Sequence, residues 1–166
     1  MGGSGGGPFL PSDVQRLEER AKQKLQEATA QTSRHVFISF AYEDVDEVNL
    51  LRGQAKNEKV GLEFDDHSVK EAFDSKDADY IKRRIREKID KASVTLVYLS
   101  KHSAKSPWID WEIRESYKRG KGVIGVYKGD SPPTLIPSAI KENNGKIVKW
   151  AHADLMHAIE ECSKKR

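Results

Sequence analysis

The sequence predicts a three-layer α/β sandwich, a parallel five-stranded sheet with helices on both faces, preceded by one further helix. Three observations carry that reading. From His35 onward, short β-branched runs alternate with helical stretches. Each run is followed by a segment long enough for a crossover, which parallel neighbours require and which winds right-handed. One run, Val94-Thr-Leu-Val-Tyr-Leu99, is apolar almost throughout, as a central strand covered on both faces must be.

The elements follow in order. Residues 1–11 read as a flexible tail, because their opening stretch, Met1 to Pro8, is mostly glycine and such a run cannot bury enough surface to offset its ordering entropy. Residues 12–34 read as an amphipathic helix and linker. Ser12 and Gln15 stand at capping-box spacing, and Val14, Leu17, Ala21, Leu25 and Ala28 recur in three- and four-residue steps. That stripe is narrow and suits either packing on its own domain or a subunit seam. Residues 35–162 form the main domain, with strands expected at Val36–Phe40, Val60–Phe64, Val94–Leu99, Gly122–Tyr127 and Lys146–Trp150. Helices are expected at Val45–Ala55, Ala78–Ala92, Trp108–Lys118 and His152–Cys162, with a broken segment after Pro132-Pro133. Ile81, Ile85 and Ile89 give the second of these one apolar stripe and leave a solvated basic face. Residues 163–166 are a basic tail. The order of elements matches a flavodoxin-like sandwich, in which ligands sit beyond the carboxyl ends of the strands, where strand order reverses.

Composition narrows the function. A chain of 166 residues holds one compact domain plus an appendage. With 29 basic against 26 acidic residues the charges are mixed, giving little field to attract nucleic acid. Cys162 is the only cysteine, which rules out an intrachain disulfide and a zinc knuckle and suits a reducing compartment. The longest apolar run falls far short of the roughly 20 residues of a spanning helix, so a cytoplasmic protein with no membrane partner is expected. Neither the dinucleotide-binding glycine fingerprint nor the P-loop is present.

The strand ends carry the candidate residues. Ser39-Phe40-Ala41-Tyr42-Glu43-Asp44 follows the first strand, Asp65 and Asp66 follow the second, and Ser100-Lys101-His102-Ser103 follows the third. Pro107 fixes the start of the next helix, on which Trp108 and Glu112 project from one face. A phosphate-accepting receiver domain would need an acid ending the third strand, where Leu99-Ser100-Lys101 stands.

His35-Val-Phe-Ile-Ser39-Phe40 with Tyr42 and Asp44, together with Trp108-Ile-Asp-Trp-Glu112-Ile113, resembles the first-strand box and the Trp-x-x-x-Glu box of TIR domains. The variant, with Ser93-Val94-Thr95 running into the second box, is most similar to the TIR-like proteins of the bacterial Thoeris antiphage system. The loop from Asp65 to Ser75 lacks the Arg-Asp and Pro-Gly signature of animal adaptor TIR domains. The resemblance implies a flavodoxin-like enzyme that cleaves NAD, taken as substrate with no further cofactor and no metal. Glu112 would match the catalytic glutamate, with Ser39, Phe40, Tyr42, Asp44, Asp65, Ser103 and Trp108 around the substrate. Phe40 and Trp108 would stack on the flat cationic ring. The products implied are nicotinamide with ADP-ribose or a cyclic nucleotide messenger, which would reach a separate effector. TIR domains also serve as interaction modules, so self-association through TIR surfaces or the N-terminal helix is expected too.

Overall fold

The computed structural model describes residues 11–32, 34–57, 62–65 and 73–164. The chain divides into two compact units, Met1–Ser33 and Arg34–Arg166. The first holds helix α1 (Pro11–Thr32), on which Val14 and Leu17 are exposed. It starts one residue before the expected cap Ser12, because proline's fixed φ and missing N–H suit the first helical position. The glycine-rich residues 1–10 lie outside the described residues.

The second unit runs β1 (Arg34–Ser39), α2 (Val45–Asn57), β2 (Leu62–Asp65), α3 (Ala78–Lys91), β3 (Val94–Tyr98), α4 (Pro107–Lys118), β4 (Gly122–Tyr127), α5 (Ser138–Glu142), β5 (Lys146–Lys149) and α6 (His152–Lys164). All five strands are parallel, in the order β2-β1-β3-β4-β5. This is the flavodoxin-like order, with strand order reversing between β1 and β3. The apolar run from Val94 forms the central strand and is buried along its whole length.

Some boundaries differ from expectation, following the backbone pairing of the sheet. Phe40 falls beyond β1, while Arg34 and His35 join it by pairing with Leu62 and Glu63. The strand expected from Val60 is recorded from Leu62, and Val60 lies outside the described residues. The segment after Pro132-Pro133 yields one short helix, α5, where Ala139 and Ile140 reach the core.

Strand alternation assigns each side chain to a layer. Val36 and Ile38 of β1, Val94, Leu96 and Tyr98 of β3, and Ile124 and Val126 of β4 meet Val48 and Leu51 of α2 and Leu155 and Ile159 of α6. The other face is shared. Phe37 meets the isoleucine stripe of α3, whereas Val97, Leu99 and Val123 meet Ile109 and Ile113 of α4 and Ile140 of α5. Gly125 keeps this face close, since a Cβ there would stand 2.9 Å from Leu99 Cδ1. Ser39 and Thr95 alternate onto the α4 face, and both are buried.

Candidate functional site

Helix α4 positions the central carboxylate. Ser106 caps it by accepting a 3.3 Å hydrogen bond from the Ile109 N–H, and Pro107 occupies its first position. With that start fixed, Glu112 falls on the sheet-facing side and is only 4% exposed. Ser39, the last residue of β1, donates its hydroxyl proton to Glu112 Oε2. The carboxylate therefore stands at the carboxyl end of β1, beside the β1/β3 switch point. A buried carboxylate is costly unless hydrogen-bonded, and Ser39 supplies such a bond.

A second polar group lies beyond β1 and β3. Asp44, buried at the end of a short 3-10 turn (Tyr42–Asp44), accepts from the Ser100 hydroxyl. The His102 N–H donates to Ser100 Oγ at 3.0 Å. The Ser100 N–H donates to Ser103 Oγ at 2.9 Å, and that hydroxyl donates back to the Ser100 carbonyl at 2.9 Å. Burial raises the Asp44 carboxyl above its ordinary range; Ser100 and the nearby His102 oppose the rise, while Glu47 and Glu43 add to it. Beside this group Tyr98 donates to Glu47, and burial first, then that carboxylate, push the phenol upward.

The sequence-predicted residues therefore separate into groups. Ser39 joins Glu112, and Asp44 joins Ser103 through Ser100. Tyr42 is 46% exposed. Phe40 and Trp108 are not brought together. Phe40 is half-buried against the α2 and α6 layer, whereas Trp108 belongs to the α3 layer on the opposite face. Trp108 meets Phe73 edge-on at 4.9 Å and Trp111 at 6.0 Å, as a core aromatic does. The backbone of Asp65 pairs with Phe37 at the end of β2, and its side chain lies outside the described residues, as do residues 66–72 of the following loop.

Sequence reading missed Thr95 and Ser116. Thr95 Oγ1 is 2.8 Å from Ser116 Oγ, and Ser116 donates to the Glu112 carbonyl at 2.8 Å. A threonine inside an apolar strand and a serine four residues after the glutamate were the available signals. Among the described residues, no group of three or more His, Cys, Asp or Glu is placed to hold a metal ion. No helix among them is long and apolar enough to cross a membrane.

Residues 37–132 match the family of Thoeris protein ThsB, TIR-like domain. The chain belongs to that family. A curated relative, the putative cyclic ADP-D-ribose synthase ThsB1 of Bacillus cereus (strain MSX-D12), is 29% identical over 100 residues, 57% of this chain. That match spans about half of the relative's length, 52%. Among solved structures, the Clostridium botulinum CMP N-glycosidase BcmB is 16% identical with a TM-score of 0.47, covering 76% of this chain and 98% of its own. The TIR domains of the activated Roq1 resistosome are 20% identical with a TM-score of 0.42, covering 80% and 82%. Within the matched span, Ser39 at the end of β1 and Glu112 on α4 meet beside the β1/β3 switch point.

Proposed function

We propose that this ThsB-family domain cleaves NAD at the nicotinamide–ribose bond and forms ADP-ribose or a cyclic ADP-ribose-type messenger in cytoplasmic antiphage defence. The observation that carries this reading is the Glu112 carboxylate, held by Ser39 at the switch point of a domain whose curated relative is named a putative cyclic ADP-D-ribose synthase. Breaking that bond spreads positive charge over the ribose in an oxocarbenium-like transition state. A fixed carboxylate stabilises such charge without reorganising when it forms. Glu112 takes that role. Ser39 holds one carboxylate oxygen and so sets which lone pairs face the sugar. Nicotinamide leaves with the bonding electron pair, and the cation left behind is captured by water or by another atom of the same nucleotide. Asp44, Ser100 and Ser103 line the neighbouring strand ends and supply polar contacts to the rest of the substrate. The messenger then acts on a separate effector.

The test is incubation of the protein with NAD, with products separated by chromatography and identified by mass. Wild type should release nicotinamide, and Glu112→Gln, which keeps shape and removes charge, should lose about 10²- to 10³-fold in rate. The co-product is either ADP-ribose or a species lighter by one water. Rate per molecule should rise steeply with protein concentration if a neighbouring copy completes the site. Absence of nicotinamide at every concentration, in extracts of infected cells as well, would overturn the reading. It would favour a non-catalytic TIR interaction module, to which the near-complete burial of Glu112 also points.

A further inference from the structure

We infer that Thr95 and Ser116 form a positioning relay that fixes the turn of α4 carrying Glu112; the inference rests on Glu112 being the working carboxylate. Proton counting gives the relay its direction. A hydroxyl has one proton to donate, and a carbonyl only accepts. Ser116 Oγ stands 2.8 Å from the Glu112 carbonyl, so its proton is committed there. Thr95 Oγ1, 2.8 Å from Ser116 Oγ, is then the donor in the second bond. The chain runs from the central strand, through the helix, to the backbone of Glu112.

Both hydroxyls are fully buried in apolar surroundings. Thr95 and Ser116 are each 0% exposed. The other described members of β3 are Val94, Leu96, Val97 and Tyr98, and valine would fill the space of Thr95 without a polar atom to satisfy. A serine bonded back to the carbonyl four residues earlier slightly weakens a helix. Local rules broken without gain in stability are expected at functional positions. The sheet register shows what the pair connects. Thr95 pairs with Phe37 and Val97 with Ser39, so Thr95 and Ser39 stand on one face of adjacent strands, two residues apart in register. Glu112 is thus held at its backbone from β3 and at its carboxylate from β1. Sliding or rotating α4 breaks one hold or the other.

The experiment compares Thr95→Val, which is isosteric, with Thr95→Ser, which keeps the hydroxyl, and Ser116→Ala, in the full chain. The first readout is the carboxyl carbon resonance of Glu112 in ¹³C-glutamate-labelled protein, assigned by its loss in Glu112→Gln and followed against pH. The second is the kcat and KM of nicotinamide release. Thr95→Val should move the Glu112 resonance and its titration midpoint, and lower kcat about 10- to 100-fold with KM little changed, the scale expected of a misplacement near 1 Å. Thr95→Ser should restore both. Ser116→Ala should reproduce the defect, and combining it with Thr95→Val should add nothing, because both break one chain. Should Thr95→Val fail to fold, Ser116→Ala carries the same comparison. A fall in melting temperature with the Glu112 resonance and titration unmoved overturns the relay and leaves the pair structural. If wild type does not turn over NAD, the resonance still decides the relay, and only the reading of Glu112 as a catalyst falls.

Discussion

Trp108 and Glu112 stand one turn apart on α4, each nearly buried, and they are buried for opposite reasons. Trp108, 8% exposed, meets Phe73 and Trp111 edge-on and shares a cluster with Ile81 and Ile85 of α3. Glu112, 4% exposed, meets the Ser39 hydroxyl at its carboxylate and the Ser116 hydroxyl at its carbonyl. Burial alone therefore does not mark a site. What marks it is polarity that a stable core would omit.

Truncating Trp108 should have the largest effect on the fold. Trp108→Ala should cost about 3–5 kcal/mol in denaturant unfolding through the cavity it leaves, and Trp108→Phe much less. A stable Trp108→Ala protein that has lost only substrate affinity would place Trp108 in the site instead of the core. Ser39→Ala comes next. It should lower kcat about tenfold, or about 1.4 kcal/mol, while the domain stays folded. An unchanged kcat would show that Ser39 does not set the carboxylate.

Glu115, also on α4, gives a smaller effect with a defined pH dependence. Burial pushes its carboxyl up, but Arg86 at 2.9 Å and Arg119 at 3.2 Å outweigh this and hold it below the ordinary range. A lowered folded value means stability present above the unfolded value and lost as pH falls through the folded one. Both arginines are partly exposed and screened, so Glu115→Gln should cost about 1 kcal/mol at neutral pH. The difference from wild type should close in acid; a difference that widens there would contradict the ion-pair account. Asp44 has the opposite sign and the smallest effect. Its raised carboxyl contributes stability fully below its ordinary value of 3.8 and loses it as pH rises through the folded value. Asp44→Asn, which has no proton to lose and still accepts from Ser100, should gain in melting temperature relative to wild type as pH rises from below the ordinary value of 3.8 through the raised folded value. A relative loss over that range would refute the assignment.

Much of the fold was legible because it rests on repeated local signals. The isoleucine stripe at 81, 85 and 89, the apolar run from Val94 and Pro107 at the head of α4 each specify an element without help from the rest of the chain. The site was legible in part. Ser39 and Glu112 stand 73 residues apart, and only the ordering of β1 against β3 and α4 brings them into one hydrogen bond. The two aromatics were harder to place. Phe40 and Trp108 are as apolar in the sequence as any binding-site ring, and their separation onto opposite faces depends on the course of the chain just past β1 and on the rotation of α4. Thr95 and Ser116 were silent for the same reason: a hydroxyl announces a role only once its partner is known.

The most direct measurement is the rate of nicotinamide release from NAD per folded molecule for wild type, Glu112→Gln and Trp108→Phe under one condition. A working Glu112 carboxylate requires that Glu112→Gln fall by about 10²-fold or more with its melting temperature near wild type, while Trp108→Phe keeps most of its rate. Equal rates in wild type and Glu112→Gln would contradict it.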